Sequence, residues 1–466
     1  MRPIRTLALA LIAGSAAAAA ADGVTLADHQ TVTLGNGATL LLMERHDVPM
    51  VSLDLMVRGG ALGDAAGKEG TADLLAGLLS KGAGARDAIQ FAAAVDGVGG
   101  QLIAYGGREA FGLSADFMSR DADLMLELVA DALLRPRLEP AEFDKLKRRA
   151  IESLAAAKDG DPRGLVGTYG YAWLFGAHPY GRPTGGDQGS LAAIERADLL
   201  AYQRDQLGGD RLIIAVVGDL KPADMKRKLS KAFGGWRKAA AALPVAPAPA
   251  AQRGRRVLLV DKPGATQTYF WLGNLGVDRR DPQRPAQTLV NTVFGGRFTS
   301  MLNTELRIKT GLSYGARSSL DRLTRPGAAS ITSFTKTEST VQALDLALAT
   351  LAELKRDGIA PEMLASAKEY VLGQFPPTLE TAPQIADRLT DLAFNGLPRS
   401  DVDDYAARIR AATPAEVAAA VAGAFPAEAD LAIVLIGDAS RIRAEVGKYG
   451  PLTEMKITDP RFAPVP

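Results

Sequence analysis

The chain has only three histidines, His29, His46 and His178, and no cysteine, for metal binding or acid–base work. No two of the histidines lie at a spacing that one helix or one turn could bring together. A catalytic zinc takes about three protein ligands, usually drawn from His, Cys and carboxylates. The polypeptide alone is therefore badly equipped to be a zinc enzyme. Nucleophilic chemistry has no better footing, because there is no cysteine and no histidine-based cluster to activate a nucleophile. Gly295-Gly296-Arg297 lacks the Gly-Lys-Ser/Thr that would complete a phosphate loop and reads as a tight helix-to-helix bend. His178, in an HPYG turn, reads as a structural turn residue, and His46, beside Glu44 and Arg45, as a solvated one.

The elements that could position chemistry come from a long chain. Its 466 residues are 47% apolar and 23% charged, a globular profile with room for two to four domains. Residues 1–21 read as a secretory signal: Arg2 and Arg5 at the start, an apolar run from Leu7 to Ile12, then small residues from Ala16 to Ala21. That signal makes the periplasm the expected location, with secretion outside the cell second. Its removal would leave 52 basic residues against 53 acidic, a balance that gives no reason to expect nucleic acid or an anionic membrane. The absence of cysteine excludes a disulfide framework and is compatible with export.

Residues 238–252, KAAAALPVAPAPAAQ, read as a semi-rigid linker between an N-terminal half, 22–237, and a C-terminal half, 253–466. The halves look like distant copies. RLIIAVVGDL at 211–220 is echoed by LAIVLIGDA at 431–439, so that Asp219 and Asp438 end matching runs. Each half opens with strands, Ala38 to Met43 and Val51 to Val57 in one, Arg256 to Val260 and Thr268 to Leu272 in the other. Apolar periodicity predicts helices near 69–81, 87–97, 119–133, 140–158, 283–293, 339–356, 361–372 and 383–395. The charges Lys145, Lys147, Arg148 and Arg149, with Glu142 and Asp144, read as an exposed helical face. The expected fold is α+β: two homologous halves, each of two related α+β units, with helices on one face of a mainly antiparallel sheet.

Four segments then carry a resemblance: GTADLLAGLLSKGA at 70–83, HPYGRPTGG at 178–186, IERADL at 194–199 running into the AVVGD strand, and FGGRFTSMLNTELRIKTGLSYGARS at 294–318. Their order and spacing resemble the peptidase M16 family, the pitrilysin, insulinase and mitochondrial processing peptidase group, over nearly the whole chain after residue 21. Active members carry an inverted zinc motif, HxxEH, whose histidines share one helical face while the glutamate acts on bound water. Here those slots hold Asp73, Ala76 and Gly77. The nearest match to the family's third ligand, a glutamate, is Glu152. Asp73 and Glu152 could offer at most two oxygens. The resemblance therefore implies no metal on this chain.

The C-terminal motif of the family is present. An arginine and, seven residues on, a tyrosine stand at Arg307 and Tyr314. Taken on residues alone, Arg307 is a solvated end of a helix stopped at Thr310-Gly311, and Tyr314 a half-buried residue of the next strand. The resemblance implies a catalytic role instead: the pair holds substrate backbone and supports the oxyanion of amide hydrolysis. Gly99 to Tyr105 resembles the turn and edge strand on which catalytic members dock a peptide by strand addition, with Ile103 where the family often has Asn. A plain edge strand is the other reading. The resemblance is closest to the subunit of a heterodimeric bacterial M16 peptidase that lacks HxxEH and bears Arg/Tyr. It implies a chain inactive alone, a partner homologue carrying HxxEH and its zinc, and peptide substrates. The alternative is an inert structural or peptide-binding homologue that kept the fold and lost the chemistry.

Overall fold

The computed structural model describes residues 24–464; the signal expected at 1–21 lies outside them. Each half builds one six-stranded sheet. In the N-terminal half the strands are β1 (Gln30–Thr33), β2 (Thr39–Glu44), β3 (Met50–Arg58), β4 (Gln101–Gly106), β5 (Ala110–Met118) and β6 (Leu212–Gly218). They lie in the order β1-β2-β6-β3-β5-β4, with β2 and β6 parallel and the other neighbours antiparallel. In the C-terminal half the strands are β7 (Arg256–Asp261), β8 (Gln267–Leu275), β9 (Ala316–Arg322), β10 (Pro326–Lys336), β11 (Ala432–Gly437) and β12 (Leu452–Lys456). Their order is β12-β7-β11-β8-β10-β9, which repeats the first sheet position for position. The outermost strand is the exception. β1 precedes β2 and runs antiparallel to it, whereas β12 comes last in the chain and runs parallel to β7.

The helices that matter for the site are α1 (Thr71–Leu79), α2 (Ala122–Leu134), α3 (Pro140–Asp159), α4 (Val166–Phe175), α5 (Arg284–Asn291), α6 (Thr340–Asp357), α7 (Pro361–Gln374) and α8 (Ala382–Asn395). Within each half the helices bury their apolar stripes on one face of the sheet. Leu74, Leu75, Leu78, Met125 and Val129 meet Leu53, Leu55, Ile214 and Val216 in the first half. Leu289, Leu344, Ala347 and Leu351 meet Phe270, Leu272, Ile433 and Leu435 in the second.

The opposite face of each sheet is covered by the other half. α4 sets Val166, Tyr169 and Ala172 against Leu258, Trp271, Val434 and Ile436 of the C-terminal sheet. α8 sets Ile385, Ala386 and Leu389 against Leu41, Met43, Ala215 and Val217 of the N-terminal sheet. Central strands covered on both faces have no polar side to alternate with. That is the physical reason for the unbroken apolar runs of β6 and β11, every residue of which is buried. Polar ties fasten the exchange. Tyr171 donates to Asp321 (2.6 Å), and Glu109 accepts from Tyr180 Oη (2.6 Å) and from the Thr324 N–H (2.9 Å).

Residues 238–252 form neither helix nor strand. They are held against the surface all the same: Ala246 is buried in the α4 cluster, and His178 Nε2 meets the Pro247 carbonyl at 3.1 Å. Nδ1 of His178 accepts the Tyr180 N–H at 3.1 Å, so this histidine is a turn-former.

Candidate functional site

The helix that would carry a zinc motif is intact as a helix. Asp64 accepts the N–H groups of Gly70 and Ala72, both at 2.9 Å, and so caps the start of α1. Burial pushes the Asp64 carboxyl up to about 7, against the pull of those two N–H groups. Leu74, Leu75, Ala76, Leu78 and Leu79 are all buried. Ala76 lies inside the core cluster, and a Cβ added at Gly77 would come within 2.8 Å of Leu146 Cδ2 from α3. A side chain at position 77 would therefore have to displace the end of the Leu146 side chain. Asp73 on α1 and Glu152 on α3 are both exposed. Among the described residues no group of three or more His, Asp or Glu could hold a metal ion. These residues do not fit a zinc centre.

Arg307 and Tyr314 come together. The segment bearing Arg307 starts at Ser300, whose hydroxyl accepts the Asn303 N–H, and continues through wide helical turns over Thr304–Lys309. Gly311, at φ 64°, reverses the chain in the left-handed region that glycine enters without strain. The Arg307 guanidinium lies between two rings, 4.8 Å from the centroid of Phe298 and 4.8 Å from that of Tyr314. Both rings face solvent, Tyr314 78% and Phe298 58% exposed. Arg307 makes no hydrogen bond or ion pair among the described residues, so its N–H donors are free for a ligand.

Tyr314 is not on a strand as the sequence suggests. β9 begins two residues later, and Tyr314 occupies the connector before it. That connector is held by serine hydroxyls rather than a strand ladder: Gly315 N–H donates to Ser313 Oγ, and Ser333 Oγ donates to Ser313 Oγ at 2.8 Å. The side chain is therefore more exposed than a strand position would leave it.

The pair borders an open cleft of about 1060 Å³, whose floor includes Ser318, Thr332 and Ser333. Arg163, Arg297 and Arg317 line it too, together with Phe334 and Tyr370, and the lining holds no carboxylate. Arg163 comes from the N-terminal half and stacks 4.1 Å from the Phe334 ring; Arg297 donates to Ser366 Oγ at 2.9 Å. Sequence reasoning missed Phe298, Arg163 and Arg297. A lone Phe after Gly-Gly-Arg was the one available signal. The Gly295-Gly296 bend is real: a Cβ at Gly295 would strike the Ser318 N–H of β9 at 2.3 Å, so glycine lets the helix end lie flat on the strand.

The remaining candidates separate from this cleft. β4, with Ile103 59% and Tyr105 40% exposed, is the last strand of its sheet and pairs with β5 alone among the described strands. Ile103 and Tyr105 are thus on the edge expected from Gly99 to Tyr105. His46 is exposed but bridged between Glu44 and Asp219, each at 2.7 Å, and those carboxylates raise its pKa. It is an ion-paired surface residue rather than a freely solvated one.

Two family models match the chain. Residues 40–187 match the insulinase model of peptidase family M16, and residues 193–371 match the peptidase M16 inactive domain. An uncharacterized zinc protease of Mycobacterium tuberculosis is 28% identical over 400 residues, which is 85% of this chain and 91% of the relative. The uncharacterized zinc protease YmxG of Bacillus subtilis is 25% identical over 349 residues, 75% of this chain and 84% of YmxG. Among solved structures, a peptidase M16 inactive domain from Pseudomonas fluorescens matches with a TM-score of 0.82 at 26% identity, covering 88% of this chain and 98% of that one. A protease from Helicobacter pylori matches with a TM-score of 0.80 at 20% identity, covering 88% and 100%, and shares the fold.

Proposed function

The chain belongs to the peptidase M16 family, and from that premise we propose that it is the zinc-free subunit of a two-chain peptidase. Its partner would be a homologue bearing HxxEH, in the periplasm, where residues 1–21 would direct this chain. The partner would hold the zinc and activate water. This chain would hold the peptide: Arg307 donates to substrate carbonyls, and the Tyr314 hydroxyl donates to the oxygen that gains charge as the amide is attacked. Preorganised donors aimed at developing charge are the strongest single device for this chemistry.

One observation carries the reading. Arg307 is fixed between two exposed rings with all its donors unspent, in a cleft without a carboxylate. Arginine–ring stacking is common in this structure, but here both rings are themselves exposed, and an exposed aromatic surface beside unspent donors is a feature of binding sites. Among the described residues no helix is long and apolar enough to cross a membrane.

The test is to purify the chain alone and together with an HxxEH homologue from the same organism, then measure zinc content and peptide cleavage. Expected are no cleavage and no stoichiometric zinc in the isolated chain, cleavage in the complex, and a loss of about 100-fold in kcat for Tyr314→Phe. Full activity from the isolated chain rejects the proposal. A wild-type rate from a complex carrying Arg307→Ala and Tyr314→Phe would instead make the chain an inert structural subunit.

A further inference from the structure

A second cavity, about 610 Å³, lies within the C-terminal half between α5, α7, α8 and the short helices Ser400–Asp403 and Tyr405–Ala411. It is separated from the Arg307 cleft by Tyr370, which lines both. Five arginines and three aspartates face it. The way they pair is uneven.

Two of the aspartates are already engaged. Asp391 takes Arg279 at 2.6 Å, and Asp401 takes Arg284 while lying 3.6 Å from both Arg279 and Arg408. Two guanidinium groups are left nearly without partners. Arg322 has one long contact, 3.4 Å to Gln287 Oε1, and its Nε is buried with no acceptor. Arg388 comes no nearer a carboxylate than 3.9 Å, to the Asp391 already shared with Arg279, and its Nε is also buried and unpaired. The third aspartate, Asp387, forms no ion pair among the described residues; burial raises its carboxyl pKa, while the neighbouring Arg388 pulls it back down. The crowding is visible elsewhere: burial, together with Arg279, Arg408 and Arg322, pushes Arg284 down to about 10. Tyr405, Arg322, Arg388 and Arg284 all line this one cavity.

Arg322 and Arg388 are half-buried, but each has a buried Nε donor with no acceptor, and native structures almost always give such a donor one. An ion-pair network built only for stability would supply enough carboxylates. We propose that this cavity is a binding site for a small oxyanion, a phosphate or carboxylate group, held between Arg322 and Arg388. The planar forks of two arginines suit such groups, and a cavity of this volume admits a small organic molecule carrying one. The site is independent of the Arg307 cleft and needs no partner chain.

Isothermal titration of inorganic phosphate and, separately, of citrate into the purified chain at low ionic strength tests this. Saturable one-site binding of either probe is expected, weakened about tenfold or more by Arg322→Gln and by Arg388→Gln, since each removes a charge-assisted donor. Arg120→Gln, at a 77% exposed surface arginine, is expected to bind as wild type. Tighter phosphate binding assigns a phosphate-type ligand, and tighter citrate binding assigns a polycarboxylate. Arg388 is only loosely paired, so its variant remains informative if Arg322→Gln folds poorly. A phosphate-induced rise in melting temperature beyond that of chloride at equal ionic strength gives a second readout. No saturable heat with either probe up to about 10 mM, or equal affinity in wild type and Arg388→Gln, overturns the proposal.

Discussion

The two halves share one strand order and one way of burying helices, yet they treat the place where chemistry could sit in opposite ways. In the N-terminal half, α1 is closed over. Ala76 belongs to the core, and Leu146 fills the space beside Gly77. In the C-terminal half, the segment from Phe294 to Ser318 opens a cleft with Arg307 between two solvent-facing rings. A position that no longer needs a polar side chain is soon taken by apolar packing, because close-packed interiors tolerate few voids. A position kept for a ligand stays polar and open at some cost in exposed aromatic surface. The two halves therefore separate what the fold requires from what binding requires.

The largest expected effect is on the closed half. Rewriting Asp73→His, Ala76→Glu and Gly77→His rebuilds the letters of a zinc motif on α1. It also puts a carboxylate into the core at position 76 and forces the Leu146 side chain to move aside at position 77. The variant should lose on the order of 4 kcal/mol or more of stability, read by urea unfolding, and should hold no stoichiometric zinc. A stable, zinc-loaded variant would break the comparison, because it would mean the N-terminal site is merely unfurnished rather than closed.

The next effect is electrostatic and lies where α8 crosses onto the N-terminal sheet. Asp54 on β3 accepts the Thr390 hydroxyl of α8 in a buried site, and burial, aided by Asp387 and Asp116, raises its pKa from 3.8 to about 6. A carboxyl whose folded pKa is raised stabilises the fold below its unfolded pKa and loses that contribution as pH climbs through the folded value. Stability should fall between about pH 4 and pH 6 on this account. Asp54→Asn, which keeps an acceptor for Thr390, should raise stability at pH 8 by roughly 2–3 kcal/mol, with the gain vanishing near pH 4. Thermal unfolding of both proteins across that range checks the sign.

The reciprocal crossing, α4 on the C-terminal sheet, depends on shape rather than charge. A Cβ at Gly170 would meet the buried Trp271 ring at 2.4 Å. Gly170→Ala should cost about 1–3 kcal/mol despite alanine's better helix propensity, measured by denaturant midpoint. A neutral result would mean that this contact is looser than its counterpart at Asp54.

Much of this scaffold was legible from periodicity. The helices expected at 140–158, 339–356 and 383–395 form at Pro140–Asp159, Thr340–Asp357 and Ala382–Asn395. At the start of the helix Pro414–Ala424, Thr413 and Glu416 close a capping box of the kind a Thr-x-x-Glu pattern signals. α4 was not legible, because VGTYGYAWLF has no polar stripe, and a helix buried between a sheet of the other half and its own loops needs none. Nor could local pattern reveal that α8 covers the sheet of the other half, since that is a long-range choice. β5 and β10 escaped notice because small residues and serines blur their alternation. Of the cleft, Arg307 and Tyr314 were found through a motif. Arg163 and Arg297 were not, and the arginines of the second cavity, scattered from position 279 to 408, carry no spacing signal at all.

The smallest expected effect is the one that sharpens the comparison most. Arg307→Ala removes a half-buried side chain that, among the described residues, makes no hydrogen bond or ion pair and stacks on two exposed rings, and an exposed cation–π contact contributes about 0.5–1 kcal/mol. Its stability should therefore stay within about 1 kcal/mol of wild type, far from the loss expected at positions 73, 76 and 77. In the complex, the same substitution should cut peptide cleavage by about 100-fold. Function and stability would then be assigned to opposite halves by two sets of substitutions on one scaffold. A loss of 3 kcal/mol or so from Arg307→Ala would put Arg307 among the supports of the fold, and the free guanidinium could no longer be taken as a mark of substrate binding.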